Sequence, residues 1–310
     1  MIEVLEAGVL TTVQDARGRI GWRRFGVPVG GAADPWSARL ANRLVGGPDD
    51  AALLEITLSG PVLRFERVAL VALAGATFEA SVDGLPLPMH RARGVRPGAV
   101  LRIGAGEGAR AYLAVSGGVE VEPVLGSPST DLRTGFGGVD GRALRRGDRL
   151  ELGRDGGSGF RWTGAPAAGP IRLLPGPHAD LFEPLDGTWM VGPEADRSGV
   201  RLDGRDLRPD LAEVPSMGLA AGAIQVPPDG RPIVMLADRP VTGGYPVPAC
   251  VIGADVGRVS QLRSGEEVRF VSVSMEEAQQ ALQRAENELA ALEPLDVTRD
   301  DELGWAGSLE

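Results

Sequence analysis

The residues best suited to chemistry fall in glycine-rich stretches. GSPSTDLRTGFGGVDGRALRRGD, 126–148, sets Ser129, Thr130, Asp131 and Arg133 beside Gly135, Gly137 and Gly138. GVLTTVQDARGRIGWRRFGVPVGGAADP, 8–35, strings Thr11, Thr12, Gln14, Asp15 and Arg17 ahead of a polar run that enters a helix. AAGAIQVPPDG, 220–230, carries Gln225, and ADRPVTGGYP, 237–246, puts Asp238, Arg239, Thr242 and Tyr245 next to two glycines. Hydroxyls and amides hydrogen-bond a substrate. A guanidinium grips a carboxylate or phosphate as a fork. A carboxylate orients such an arginine, binds a divalent cation or serves as a base. Glycine permits positive φ and close approach of a ligand. Each stretch reads equally as a polar turn with an Asp–Arg pair, so on residues alone both readings stay open. The same recipe at three strand ends makes a composite polar site the expectation.

Composition narrows the chemistry. All 32 basic residues are arginine, and no lysine occurs. A side-chain Schiff base, a P-loop lysine and covalently carried biotin or lipoate are thereby excluded. Two histidines, His90 and His178, rule out a three-histidine metal site within the chain, and each reads as a structural turn residue. Cys250 stands alone, so neither an intrachain disulfide framework nor a cysteine-based zinc site can form, and no metal ligands are assigned. A net charge of −10 and a pI near 4.9 disfavour nucleic acid and anionic membrane surfaces as partners. No apolar run reaches the roughly 18 residues of a membrane helix, and the acidic start MIEVLEAGVL is unlike a signal peptide. The expected location is cytoplasmic. GAGEGA, 104–109, has the glycines of a phosphate loop but joins strand to strand, and is expected to be a hairpin turn.

The elements that must position these residues are mostly short and β-branched, bounded by Gly, Pro and Asp. Examples are VLRFERVALVALA (62–74), AYLAVSGGV (111–119), IRLLPG (171–176), PIVMLAD (232–238) and EVRFVSV (267–273). With 45 Gly and 24 Pro, the chain reads as mainly β. A small motif recurs as RPGAVLRI (96–103), RRGDRLEL (145–152) and RSGEEVRF (263–270). In each, a glycine turn feeds a strand with alternating apolar positions. Two helices stand out. Asp34 caps one with Pro35 at its first position, Trp36, Leu40 and Leu44 on one face and Gly46 at its end. The other starts on a Ser274–Glu277 capping box and is stopped by Pro294. The segment 155–170 is the expected linker. It divides the 310 residues into β units at 1–160 and 170–275, followed by a helix and acidic tail at 276–310.

The stretches TTVQDARGRIGWRRFGVPVGGAAD, LGSPSTDLRTGFGGVDGRALRRGD, GAIQVPPDGRPIVMLADRPVTGGYP and QLRSGEEVRF together resemble the KipA-like family, from about Gly8 to Val273. That family is also called allophanate hydrolase subunit 2, biotin-dependent carboxyltransferase, or the C-type subunit of bacterial 5-oxoprolinase. Two places depart from its pattern. Met217 and Leu219 make the lead-in to Gln225 apolar, and Val200 stands where an aromatic is common. The resemblance implies two cyclophilin-like β-barrel units with a few short helices and a C-terminal helix. It implies two partners, a KipI-like protein and a LamB/YcsF-like protein, and ATP with Mg at a site shared within the complex. Biotin would not be carried on this chain. On the motif positions, Asp15, Asp131, Arg133, Asp238 and Arg239 take catalytic roles, and Gln14, Arg17, Thr130, Gln225, Thr242 and Tyr245 bind substrate. The reaction would be ATP-dependent opening of 5-oxoproline. Carboxyl transfer from a visiting biotin, as in urea carboxylase, and a regulatory KipI-binding role are the alternatives.

Overall fold

A computed structural model describes residues 1–154, 156–208 and 214–295. It folds as two compact units that are interleaved in sequence. Residues 1–18, 34–164 and, within the described chain, 288–295 make the first; 19–33 and 165–287 make the second. The sequence division places 19–33 in the N-terminal unit. It lies in the second because Arg23 donates to the Leu219 and Val241 carbonyls and the Gly30 N–H donates to the Ala237 carbonyl. Among the described residues the structure is mainly β, with two barrel-like units and three α-helices.

The first unit contains β1 (Ile2–Glu6), β2 (Leu10–Gln14), α1 (Pro35–Leu44), β3 (Leu53–Ser59), β4 (Val62–Phe65), β5 (Ala69–Gly75), β6 (Phe78–Val82), β7 (Leu85–Pro86), β8 (Arg93–Val95), β9 (Val100–Val115), β10 (Val119–Glu120), β11 (Arg149–Leu152) and β12 (Phe160–Arg161). Its main sheet runs β10-β11-β1-β4-β9-β3-β2, with β5 and β6 also paired to β9. Ile2, Val4, Leu54, Ile56, Leu63, Phe65, Leu73, Leu101 and Leu113 fill the interior. Alternate positions point inward, so burying these side chains is the main drive for closing the sheet.

The hairpin expected at 104–109 does not form. These residues lie inside β9, sixteen residues long, whose first half pairs with β4 and β6 and whose second half pairs with β3 and β5. The glycines let a neighbour cross the strand: a Cβ on Gly106 would sit 2.1 Å from the Phe78 ring.

The second unit contains β13 (Ile171–Pro175), β14 (Gly187–Ala195), β15 (Gly199–Asp203), β16 (Met217–Gly218), β17 (Ala223–Gln225), β18 (Ile233–Met235), β19 (Thr242–Gly243), β20 (Ala249–Val251), α2 (Gly253–Ser260) and β21 (Glu267–Ser272). The order β13-β20-β17-β18-β15-β14-β21 closes into a barrel around Leu173, Trp189, Leu202, Ile224, Val234, Leu236 and Phe270. Strands β16 and β19 form a separate two-stranded ribbon. After the helix α3 (Met275–Ala290), β22 (Glu293–Pro294) pairs with β12.

The recurrent motif has one geometry. Gly98, Gly147 and Gly265 have φ of 89°, 90° and 86°. Each donates its N–H to a neighbouring strand, on Phe65, Val4 and Val191, at 2.7, 2.8 and 2.8 Å. Each stands two residues before a strand, β9, β11 or β21. The caps also form. Asp34 accepts from the Ser37 N–H and hydroxyl, and Ser274 and Glu277 bond each other's backbone N–H at 3.1 and 2.7 Å.

Helix α3 ends at Ala290, four residues before Pro294. The tail beyond Leu295 is outside the described residues. Within the expected linker, Phe160 and Arg161 are already strand and Trp162 is buried, packed edge-on to Trp36 and His90.

Candidate functional site

Each unit gathers part of the expected polar constellation. In the first, β2 delivers Thr11, Thr12, Gln14 and then Asp15, all buried. The loop 126–148 lies along this strand. Thr130 bonds the Val13 carbonyl through its N–H (2.9 Å) and its hydroxyl (3.0 Å). The Leu144 N–H donates to the Thr11 carbonyl. The Asp15 carboxylate accepts from the Gly18 N–H at 2.6 Å and the Ser129 hydroxyl at 2.9 Å, and Ser129 in turn accepts from the Asp15 N–H. Asp131 accepts the Arg133 and Thr134 N–H groups, both at 3.0 Å, and so fixes the tip of the loop. Ser127, Ser129, Thr130 and Asp131 are buried while Leu132, Arg133 and Thr134 are exposed. The loop is thus packed along β2 without forming a strand, with an exposed arginine at its tip.

Gln14 is fully buried between these two segments. Its Nε2 donates to the Thr12 hydroxyl at 3.1 Å and the Thr130 carbonyl at 3.2 Å. The carbonyl can only accept, so the amide cannot be reversed without loss. Its Oε1 is buried and has no hydrogen-bond partner among the described residues. A buried acceptor without a donor is costly, and a ligand N–H is one way to satisfy it.

In the second unit, Gln225, Asp238, Arg239, Thr242 and Tyr245 lie at or beside the β16–β19 ribbon: Gln225 lies under Gly243 and donates to the Tyr245 carbonyl, and Arg239 donates to Leu219. Asp238 is held by the fork of Arg197, at 2.8 and 3.0 Å, and Arg197, itself buried, also donates to the Gly31 carbonyl. Arg239 donates instead to the Leu219 and Leu236 carbonyls, both at 3.0 Å. Burial pushes the Arg239 pKa down, and the nearby charge of Arg23 adds to this. Gln225 is buried beneath Gly243, where a Cβ would stand 2.5 Å from its amide nitrogen. Thr242 and Tyr245 are exposed at the rim.

A family model described as carboxyltransferase domain, subdomain A and B, matches residues 25–272. The chain belongs to this carboxyltransferase-domain family. Among its relatives, the C-type subunit of 5-oxoprolinase from Escherichia coli is 40% identical over 302 residues, covering 91% of this chain and 94% of the relative. The protein of the same name from Haemophilus influenzae is 35% identical, with 93% and 96% covered. Kluyveromyces lactis urea carboxylase superposes with a TM-score of 0.87 at 31% identity, over 97% of this chain and 30% of that one. The chain therefore spans nearly the whole length of the 5-oxoprolinase relatives and under a third of the urea carboxylase.

Within this carboxyltransferase-domain chain, the sequence-nominated residues separate into two clusters and one outlier. Gln14, Asp15, Thr130, Asp131 and Arg133 share the β2 face of the first unit. Gln225, Asp238, Arg239, Thr242 and Tyr245 gather at the β16–β19 ribbon of the second. Arg17 joins neither: its side chain is 65% exposed and pairs with Asp50 at 3.5 Å. Asp238 and Arg239, adjacent in sequence, do not form the pair that adjacency invites. Asp238 is gripped by Arg197, brought in by the β14–β15 turn. Sequence reasoning missed Arg197 and Arg23 as organisers, and it noted Ser129 without assigning it a role. It also missed the buried set in which the Tyr112 hydroxyl accepts from the Asp34 N–H at 2.8 Å and donates to Glu55 at 3.0 Å. Tyr112 and Glu55 sit in ordinary strand patterns, so nothing local marks them. Among the described residues no group of three acidic, histidine or cysteine side chains could hold a metal ion.

Proposed function

We propose that this chain is the C-type subunit of a heteromeric ATP-dependent 5-oxoprolinase, which opens 5-oxoproline to glutamate together with a KipI-like partner and a LamB/YcsF-like partner. One observation carries the reading: the chain is 40% identical to a relative bearing that name and covers 94% of it. The chemistry needs ATP, which makes the cytoplasm the proposed compartment. A lactam is a poor electrophile; phosphorylation of its oxygen by ATP activates the carbon, water adds there, the C–N bond breaks with the protonated ring nitrogen leaving as the amine, and a second water hydrolyses the resulting acyl phosphate to glutamate and phosphate.

In this reading the chain binds and orients. Gln14 Oε1, buried and unpartnered among the described residues, accepts the lactam N–H. Arg133, exposed at the loop tip, and Arg239 offer charge to substrate carboxylate or phosphate. Asp15, Asp131 and Asp238 are already engaged by Ser129 and Gly18, by two loop N–H groups, and by Arg197. Those contacts suit them to hold geometry. They do not fit a Mg²⁺ cage, and the proposal assigns the Mg²⁺ of ATP to no carboxylate of this chain.

The test is ATP hydrolysis by the complex reconstituted from all three proteins, with and without 5-oxoproline. The expected result is stimulation by 5-oxoproline with glutamate appearing. A folded complex that shows no stimulation rejects the reading. The second reading, a biotin-dependent carboxyltransferase component, draws on the TM-score of 0.87 to a urea carboxylase. It predicts turnover with a carboxybiotin carrier and urea instead.

A further inference from the structure

Arg23 lies in a short 3-10 turn, Arg23–Phe25, within the segment 19–33 of the second unit. Its Nη2 donates to the Leu219 carbonyl at 2.7 Å and to the Val241 carbonyl at 3.0 Å. The Leu219 carbonyl also accepts from Arg239 Nε at 3.0 Å. One neutral oxygen therefore gathers two cations, with the bonded nitrogens within about 6 Å of each other. Among the described residues neither arginine has a carboxylate in ion-pair contact. Asp238 is next to Arg239 in sequence, but the Arg197 fork occupies its carboxylate. Burial and the Arg23 charge both push the Arg239 pKa down, and the charge of Asp238 only partly opposes them.

Two guanidiniums set side by side on backbone carbonyls repel each other. Holding them there without an anion costs free energy that the fold supplies. An arginine has five N–H donors. The bonds above use Nη2 of Arg23 and Nε and Nη1 of Arg239, which leaves Arg23 Nε and Nη1 and Arg239 Nη2 without a protein acceptor among the described residues. The bonded Arg23 Nη2 is 3.6 Å from the Cβ position of Gly218, so this guanidinium stands beside the β16–β19 ribbon.

We propose that Arg23 and Arg239 form an oxyanion-binding site that takes a carboxylate or a phosphate. Planar, bidentate recognition of such groups is what guanidinium does better than a point charge. The site stands on this geometry alone. If the oxoprolinase reading holds, the carboxylate of 5-oxoproline and the phosphates of ATP are the two sources of the anion.

The test is calorimetric titration of the full chain at low ionic strength, where screening is weak. The probes are inorganic phosphate, pyrophosphate, acetate and 5-oxoproline, each titrated separately. The expected result is saturable one-site binding of at least one probe. Arg23→Gln and Arg239→Gln should each weaken it about tenfold or more. Arg64→Gln, a surface arginine paired with Glu3, should leave it unchanged. Phosphate or pyrophosphate binding ahead of the acids assigns the site to a nucleotide; 5-oxoproline binding ahead of phosphate assigns it to the substrate carboxylate. Melting curves of each variant without anion identify any that misfold, and Arg23→Lys, which keeps the charge, should retain part of the affinity. Two results overturn the proposal: no binding of any probe by the folded wild-type chain, or binding unchanged in both folded glutamine variants. Neither depends on turnover, so failure of the oxoprolinase assay leaves this test intact.

Discussion

Arg133 and Gly138 occupy one loop and answer to different constraints. Gly138 has φ +55°, and a Cβ there would lie 2.0 Å from the Thr130 hydroxyl oxygen. That hydroxyl is the one that bonds Val13, so it cannot swing away freely. Gly138→Ala should cost about 1–3 kcal/mol, read as a lower denaturant midpoint. Arg133 is exposed, and among the described residues its side chain braces nothing in the loop; its N–H is held by Asp131. Arg133→Ala should keep stability within about 0.5 kcal/mol while abolishing turnover of the assembled complex. Unchanged turnover would return Arg133 to a solvated turn. The sequence displayed both residues side by side. It could not tell the glycine required by a close approach from the arginine left free at the tip, because the difference lies in what stands across from them.

Elements were most legible where the signal is local. Asp34 with Pro35 and Ser274 with Glu277 are start signals complete within four residues, and both caps form as their spacing predicts. The three glycine turns are equally local, since Gly98, Gly147 and Gly265 need only positive φ and a neighbouring carbonyl. Ser274→Ala should lower stability by about 1 kcal/mol, and thermal melts of the full chain read the change. An unchanged midpoint would mean that α3 is held by packing alone. Two elements escaped. Helix α2, GADVGRVS, carries two glycines and lacks a side-chain cap, so propensity hides it. It is held instead from outside, through Asp255, which accepts from the Arg172 backbone and guanidinium at 2.8–2.9 Å. The strand β9 escaped because glycines at 104 and 106 read as a turn, whereas Phe78 needs the space that Gly106 leaves.

At the scale of the whole molecule, electrostatics should shape acid stability. Arg43 and then Arg39 hold the Asp49 carboxyl below its usual range, burial partly opposing them. Arg142 does the same for Asp148 through a fork at 2.7 and 2.9 Å. Burial alone would raise Asp255, but the Arg172 hydrogen bonds and the Arg258 charge and hydrogen bond together outweigh it and the net shift is downward. Carboxyls depressed in the folded state contribute stability above their unfolded pKa, near 4, and lose it as pH falls through the folded value. Urea midpoints should therefore be flat in these groups between about pH 5 and 7 and fall below about pH 4. Asp148→Asn should flatten part of that acid limb; a limb of undiminished slope would remove Asp148 from the account. By itself the sequence determined the class of fold, the caps and turns, and a chemistry without lysine, since these depend on residue type and spacing within a few positions. Only the tertiary structure decided which arginine meets which acceptor. Arg197 and Asp238 are 41 residues apart, and Arg23 and Leu219 are 196 apart. With 32 arginines and 42 acidic residues to pair, local pattern is silent, and barrel closure and strand register make the choice.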